Sequence, residues 1–336
     1  MNSRIFAPSA PLRVAALACT AIACAVLGLA AGGAARAQEA LTVPPGLPEW
    51  AFNVPGPEQP VAFRPKGVVR APGSAREYDA AAIAGTAKPP DWFPEEHPPA
   101  PPAVTGGEGT GIRFACGACH LMSGQSHAEA ADIAGMPAAY LIRQMAYYRS
   151  GARRDDARMG PIAKATSEDD VRAAAAYFAA LTPGVFVKVI ETATPPRTFI
   201  ATLGRHRQLH PDGGIEPIGH RILEIPEDPM RTELRDPHSG FIAYVPPGSL
   251  ARGEALVKGE GGAAPCASCH GAELRGQGEV PRLAGQQPLH IARQLFDLKS
   301  GSSAGEAAAP MQPVAARLSE DDIIAISAYL GSLPPR

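Results

Sequence analysis

Several things are scarce in this chain of 336 residues. Aromatic residues make up 6% of it and charged residues 19%, and 31 Lys+Arg stand against 33 Asp+Glu, for a formal charge of −2. A nucleic-acid protein carries a basic face or basic runs; neither is present, so that class is excluded. After residue 31 no apolar run is long enough to span a bilayer. Cysteine is limited to six residues, and all but two of them fall into two short patterns. Glycine and proline, by contrast, are frequent at 35 and 36 residues, yet below the level of wholesale disorder. The length suits about two domains, each able to bury a core.

The N-terminus reads as an export signal. Arg4 and Arg13 precede an apolar run from Val14 to Ala31, and Ala35-Arg36-Ala37 is an A-x-A cleavage site. Cleavage after Ala37 is expected; left uncut, the run is long enough to anchor in a membrane. Cys19 and Cys24 lie inside this segment, and Ala16 and Ala21 stand where a lipoprotein signal wants Leu. Loss of the segment removes three arginines and no acid, which makes the mature chain more acidic.

The four remaining cysteines form Cys116-Gly117-Ala118-Cys119-His120 and Cys266-Ala267-Ser268-Cys269-His270. Cys-x-x-Cys-His is the attachment pattern for c-type haem. Two thiols three residues apart on one helical turn reach the two vinyl groups of one porphyrin, and the adjacent His then lies under the iron. A redox dithiol does not require that His. Zinc needs four ligands brought together, and these motifs stand 150 residues apart. Two covalently bound haem c groups are the expected cofactors.

The halves repeat. At an offset of 150, Ile133-Ala134-Gly135 answers Leu283-Ala284-Gly285, Arg143-Gln144 answers Arg293-Gln294, and Ser150-Gly151 answers Ser300-Gly301. After a two-residue shift, Met159-Gly160-Pro161 matches Met311-Gln312-Pro313 and Ser167-Glu168-Asp169-Asp170 matches Ser319-Glu320-Asp321-Asp322. Each half reads as helical. A middle helix ends at Gly151 or Gly301, and a last helix opens at a Ser-x-x-Asp capping box and stops at Pro183 or Pro334. The Met and Pro loop lies between these two helices.

Met311 is the only methionine after Cys266, so a thioether ligand for the second iron from its own domain has to be Met311. In the first half Met122 is too close to His120 to reach the opposite haem face. Met136 and Met145 correspond to Gln286 and Leu295, leaving Met159 as the partner of Met311. The competing reading for any of them is core filling. His/Met ligation raises the reduction potential and leaves no open coordination position, which favours electron transfer over catalysis.

Both halves resemble class I c-type cytochrome domains, and the tandem resembles the cytochrome c4 type of di-haem cytochrome. The resemblance covers roughly 104–182 and 250–334. It rests on the two attachment motifs, Ile133/Leu283-Ala-Gly, the Arg-Gln pairs, and the Met159 and Met311 loops. It implies a mostly α fold of two tandem cytochrome c domains and a periplasmic carrier of single electrons, with His120, Met159, His270 and Met311 on the irons. It implies redox proteins as partners, a dehydrogenase donor and an oxidase or cytochrome acceptor; the alternatives are an electron-accepting subunit of a dehydrogenase complex and a di-haem enzyme such as a peroxidase. Proteins of this type often place Pro before the Leu-Ala-Gly motif, its carbonyl accepting a bond from the proximal His. Pro281 fits and Ala131 departs, so inequivalent haems are expected.

The resulting plan is a signal at 1–37, a Pro-rich extended arm at 38–103, a first haem domain at 104–182, an insert at 183–249 and a second haem domain at 250–336. The arm holds Trp50 and Trp92, the only tryptophans, expected to fasten it to a domain. In the insert, Val185–Ile190, Thr198–Thr202, Arg221–Ile225 and Phe241–Val245 read as short strands. His97, His127, His206, His210, His220, His238 and His290 are expected to bond locally or face solvent. Arg143 and Arg293 are candidates for haem propionates, with surface ion pairing as the alternative, and Tyr177 and Tyr329 for the core. The acidic balance, deepened by propionates, favours a partner with a basic patch.

Overall fold

The computed structural model describes residues 43, 46–52, 54, 64–126, 130–201, 207–260 and 264–336. Residues 1–37, expected to be an export signal, and His127 and His206 lie outside them.

Where the Pro-rich sequence predicts an extended arm, the chain folds into short elements with a small core. Strands β1 (Val68–Val69) and β2 (Tyr78–Asp79) pair antiparallel, and the Asp79 carboxylate caps one-turn helix α1 (Ala80–Ile83) by accepting from the Ala81 amide at 2.7 Å. Ala71, Ile83, Trp92 and Phe93 bury together with Leu234 of the insert. The Trp92 indole N–H donates to the Leu234 carbonyl at 2.6 Å. Proline frequency alone misses this, because the partner that completes the core is remote in sequence. Trp50 fastens the other end, donating to Glu320 at 2.6 Å and meeting Phe296 edge to face.

In the first half a single turn, α2 (Pro102–Thr105), precedes the attachment helix α3 (Gly117–His120), then α4 (Ala138–Ser150), α5 (Met159–Ala165) and α6 (Glu168–Ala180). Gly151 closes α4 in the left-handed conformation, and Ser167 caps α6 by accepting from the Asp170 amide at 3.1 Å. Ala103, Val104, Met122, Ala174, Tyr177 and Phe178 form its core.

The insert contains β3 (Val187–Glu191), β4 (Thr198–Ile200), β5 (Arg207–Leu209), β6 (Leu223–Pro226), α7 (Pro229–Glu233) and β7 (Phe241–Val245). The sheet order is β3-β7-β6, with β7 parallel to β3 and antiparallel to β6. Gly240 allows this: a Cβ there would lie 2.0 Å from the Phe186 carbonyl, which accepts from the Phe241 amide. Phe241, Ala243 and Val245 point from β7 into the core of the second half. The four expected strands are present: Phe241–Val245 matches at both ends, the others have ends shifted by one or two residues, and Thr202 lies outside the described residues. The pattern missed β5, which pairs with β4 through three residues too polar to register.

The second half runs α8 (Ser249–Val257), attachment helix α9 (Ala267–His270), α10 (Pro288–Ser300), a 3-10 turn at Glu306–Met311, α11 (Gln312–Ala316) and α12 (Glu320–Ser332). Ser319 and Asp322 complete a reciprocal capping box. Helix α8 crosses α12 so closely that a Cβ on Gly253 would lie 2.0 Å from the Ala325 carbonyl. The first half has only α2 in the place of α8.

The halves meet through equivalent residues. The Arg154 amide donates to Ser302 O at 2.8 Å, and the Ala304 amide donates to Ala152 O at 2.7 Å. Because 152 answers 302 and 154 answers 304, the contact is isologous, the pattern of a two-fold dimer inside one chain. It breaks symmetry at its centre, where buried Arg153 faces Ser303. The Arg153 guanidinium donates to Gln144 of its own half at 2.7 Å and to Gln294 of the other. Gln286 donates to the Asp132 carbonyl at 2.8 Å and Gln287 to the Ser126 hydroxyl.

Candidate haem-attachment sites

Each attachment motif forms one helical turn. His120 N bonds Cys116 O at 2.9 Å, and His270 N bonds Cys266 O at 3.0 Å. The turn sets both thiols on one side with the His directly after them. Burial pushes the Cys116 thiol up to about 12 and raises Cys266 as well. A reactive dithiol needs the opposite, a depressed thiol pKa. Among the described residues no group of three or more His, Cys, Asp or Glu could hold a metal ion on its own.

The histidines are prepared in the same way. His120 Nδ1 is 2.8 Å from the Ala131 carbonyl and His270 Nδ1 is 2.9 Å from the Pro281 carbonyl. A carbonyl only accepts, so Nδ1 carries the proton and Nε2 presents its lone pair. Burial lowers both imidazoles, which keeps them neutral. Ala131 therefore supplies the same carbonyl as Pro281, and this contact does not distinguish the halves. Two thiols on a turn, a neutral His with free Nε2 and a Met later in the same half suit covalent haem.

Met159 opens α5 and Met311 ends the 3-10 turn before α11, so the expected loop is helical at both positions. Both are half-buried, and Met311 packs against the core of the second half. Met122 and Met136 are fully buried, as core residues are. Tyr177 is buried and donates to the Met122 carbonyl at 2.6 Å; Tyr329 packs on the second core.

Arg143 forms an ion pair with Glu279 of the other half and also donates to the Glu279 carbonyl, as the surface-pairing reading expects. Arg153, which the sequence did not single out, is a buried cation between the halves; a symmetric repeat search hides it because its counterpart is Ser303. Of the remaining histidines, His97 and His210 bond locally as expected, whereas His220 and His238 bond carboxylates remote in sequence. His97 bonds Asp91, His220 bonds Asp321, His238 bonds Glu96, and His210 Nδ1 accepts from the Asp212 amide.

His290 differs. It lies on α10 in the place of Tyr140, and burial, then Arg293, Arg153 and His120, push its imidazole well below 6.5. The folded chain holds it neutral, while the unfolded chain binds a proton below 6.5. Stability therefore falls as pH drops below that value, by up to about 1.4 kcal/mol per pH unit from this group. Asp297 on the same helix acts oppositely. Burial raises it to about 6, so its contribution is present at low pH and is lost as pH rises through 6. The variant His290→Tyr isolates the first effect: its unfolding free energy should fall less between pH 7 and pH 5 than that of the parent, and equal slopes would refute the assignment.

The family model for cytochrome c matches residues 250–334. Cytochrome c-554(547) of Halothiobacillus neapolitanus is 40% identical over 94 residues, covering 26% of this chain and 98% of that protein. Cytochrome c4 of Stutzerimonas stutzeri is 32% identical over 139 residues, 36% of this chain and 65% of its own length. A thiosulfate dehydrogenase electron acceptor of Thiomonas intermedia is 28% identical over 226 residues, 65% of this chain and 78% of that one. The chain belongs to the class I c-type cytochromes and within them is cytochrome c4-like, and its function is electron transfer.

Proposed function

We propose that this chain is a periplasmic di-haem electron carrier, with one haem on Cys116 and Cys119 and a second on Cys266 and Cys269. His120 and Met159 ligate the first iron, and His270 and Met311 the second. The haem domains are 104–182 and 250–336, and the export signal is cleaved after Ala37. The observation that carries this reading is the pair of attachment turns, each with a His whose Nδ1 is committed to a carbonyl eleven residues on. A haem held in this way supplies reversible one-electron chemistry at its iron. The protein's own contribution would be to fix the tautomer of His120 and His270 and to offer Met159 and Met311 as the further ligands.

A second reading makes the chain the electron-accepting subunit of a dehydrogenase. It is favoured by the relative named for thiosulfate dehydrogenase, which aligns over 65% of this chain. The two readings share their site chemistry and differ in whether a dehydrogenase co-purifies. No helix among the described residues is long and apolar enough to cross a membrane.

A pyridine haemochrome assay on the purified protein should return two haems per chain. The oxidised spectrum should carry the weak near-infrared sulfur-to-iron band in an amount matching both irons. One haem, or a high-spin fraction, would overturn the carrier assignment and move a di-haem enzyme ahead.

A further inference from the structure

The two attachment turns, nearly identical in themselves, differ in what lies over them. In the first, Ala115 and Ala118 are 3% and 1% exposed and Gly117 is buried. In the second, the equivalent Pro265 and Ser268 are exposed, and so is Cys269 where Cys119 is half-buried.

The difference comes from the two regions outside the repeat. The arm lies along the approach to the first turn: the Ala115 amide donates to Thr86 O at 2.8 Å, the Gly107 amide to Ala87 O at 3.0 Å, and the Thr86 hydroxyl to Arg113 O at 3.1 Å. The fit is tight enough that Gly106, at φ +62°, has the Ala87 carbonyl where a Cβ would stand. From the insert, Arg235 reaches over the same place. Its backbone is held at φ +55°, its guanidinium donates to Gly85 O at 2.7 Å, and it lies within electrostatic reach of the Cys119 sulfur. A non-glycine residue at positive φ persists only where the surroundings impose it. Here the adjoining Leu234 does so, locked into the arm's core under Trp92. Arm, insert and first half also line an open pocket of about 300 Å³ that includes Trp92, His97, Met122, Gln125 and Arg235. Among the described residues, no arm or insert residue bonds the second turn, where Ser268 bonds only Pro265.

We propose that the arm and the insert form a roof over the first attachment turn, so that external redox partners exchange electrons with this protein at the second turn, residues 264–270. The partner is a one-electron redox protein that docks against the exposed Pro265-Ser268-Cys269 face. One electron leaves the reduced protein and enters the partner; no bond forms or breaks, and no proton has to move. Electrons from the first haem leave by way of the second. The inference rests on the two-haem reading above.

The test uses holoprotein containing two haems, counted by pyridine haemochrome in the same samples; any other count would sink the di-haem reading rather than the roof. Reduced protein is mixed with ferricyanide at high ionic strength, which screens charge effects of the substitutions. Ser268→Trp, which covers the second turn, should slow the second-order oxidation of both haems several-fold. Arg235→Gly removes the side chain of the roof and accepts the positive φ without strain; combined with Ser268→Trp it should restore much of the rate. An unchanged rate in Ser268→Trp, or no recovery in the double variant, would overturn the proposal. Amide exchange gives an independent readout. Amides 114–119 should exchange more slowly than those of 264 and 266–269 in the parent, and Arg235→Gly should close the gap; equal exchange in the parent refutes the roof.

Discussion

Replacing Met311 with alanine should remove half of the sulfur-to-iron absorption of the oxidised protein, lower the reduction potential of one haem and open that iron to carbon monoxide. The reasoning begins with scarcity: Met311 is the only methionine after Cys266. It lies where a 3-10 turn passes into α11, between Pro310 and Pro313, so the backbone that presents the thioether is stiff. It is neither free in solvent nor sealed in the core, as a side chain that completes its burial against a cofactor should be. A thioether donates less electron density to ferric iron than histidine or hydroxide does, so its loss favours the oxidised state. Axial ligation tunes haem potentials across about 0.8 V, which places the shift well outside measurement error. Met159→Ala should do the same to the other haem, and the double variant should lose the band entirely. Met122→Ala and Met136→Ala are the controls. Both side chains are fully buried, so these variants should lose about 2–5 kcal/mol of stability while keeping the full band. An unchanged spectrum in Met311→Ala would refute the ligand assignment.

The site was more legible in the sequence than the architecture around it, for a physical reason. Covalent attachment at two vinyl groups demands a fixed spacing within five residues, and duplication writes that spacing twice. Cys116, Cys119, His120 and their counterparts therefore stood out without any knowledge of the fold. The carbonyl behind each attachment-motif His was only half legible. Proline marks it at 281, whereas at 131 any residue offers the same atom, and Ala131 does. Backbone chemistry leaves no side-chain signature. The insert's strands were readable where β-branched residues cluster, and β5, Arg207-Gln208-Leu209, was not. What stayed hidden were contacts made across long sequence separations. They include Trp92 on Leu234, Arg235 over the first attachment turn, and the exchange of bonds between 152–154 and 302–304. That last contact also shows that the offset of 150 persists through residue 304, which puts the two-residue insertion after it and before Met311.

Trp92→Ala should cost about 3–5 kcal/mol of stability. Trp92 is 2% exposed and is the largest member of a small core in which Ala71, Ile83, Phe93 and Leu234 are the other buried residues. Its neighbours Ile83, Phe93 and Leu234 are already buried, so a cavity remains where the indole was. Tyr78 meets the indole edge to face at 4.8 Å and loses its partner as well. Trp92→Phe separates packing from polarity. It keeps a ring in the site but leaves the buried Leu234 carbonyl without its donor, at about 1–3 kcal/mol. Trp50→Ala should cost only about 1 kcal/mol beyond its packing on Phe296, because its partner Glu320 is exposed and water replaces the bond. Urea unfolding followed by far-ultraviolet circular dichroism gives these values without relying on tryptophan fluorescence, which haem quenches. The damage should not remain in the arm. Ala103 and Val104 continue the arm directly into the core of the first half, beside Met122 and Phe178, in the place that α8 fills in the second half. A first half with one helical turn where its twin has a full helix depends on the arm for that side of its core. The sulfur-to-iron band of the first haem should therefore disappear before that of the second as urea rises in Trp92→Ala, the covalent haem staying attached, whereas a midpoint matching the parent would show that the arm adds nothing to the fold.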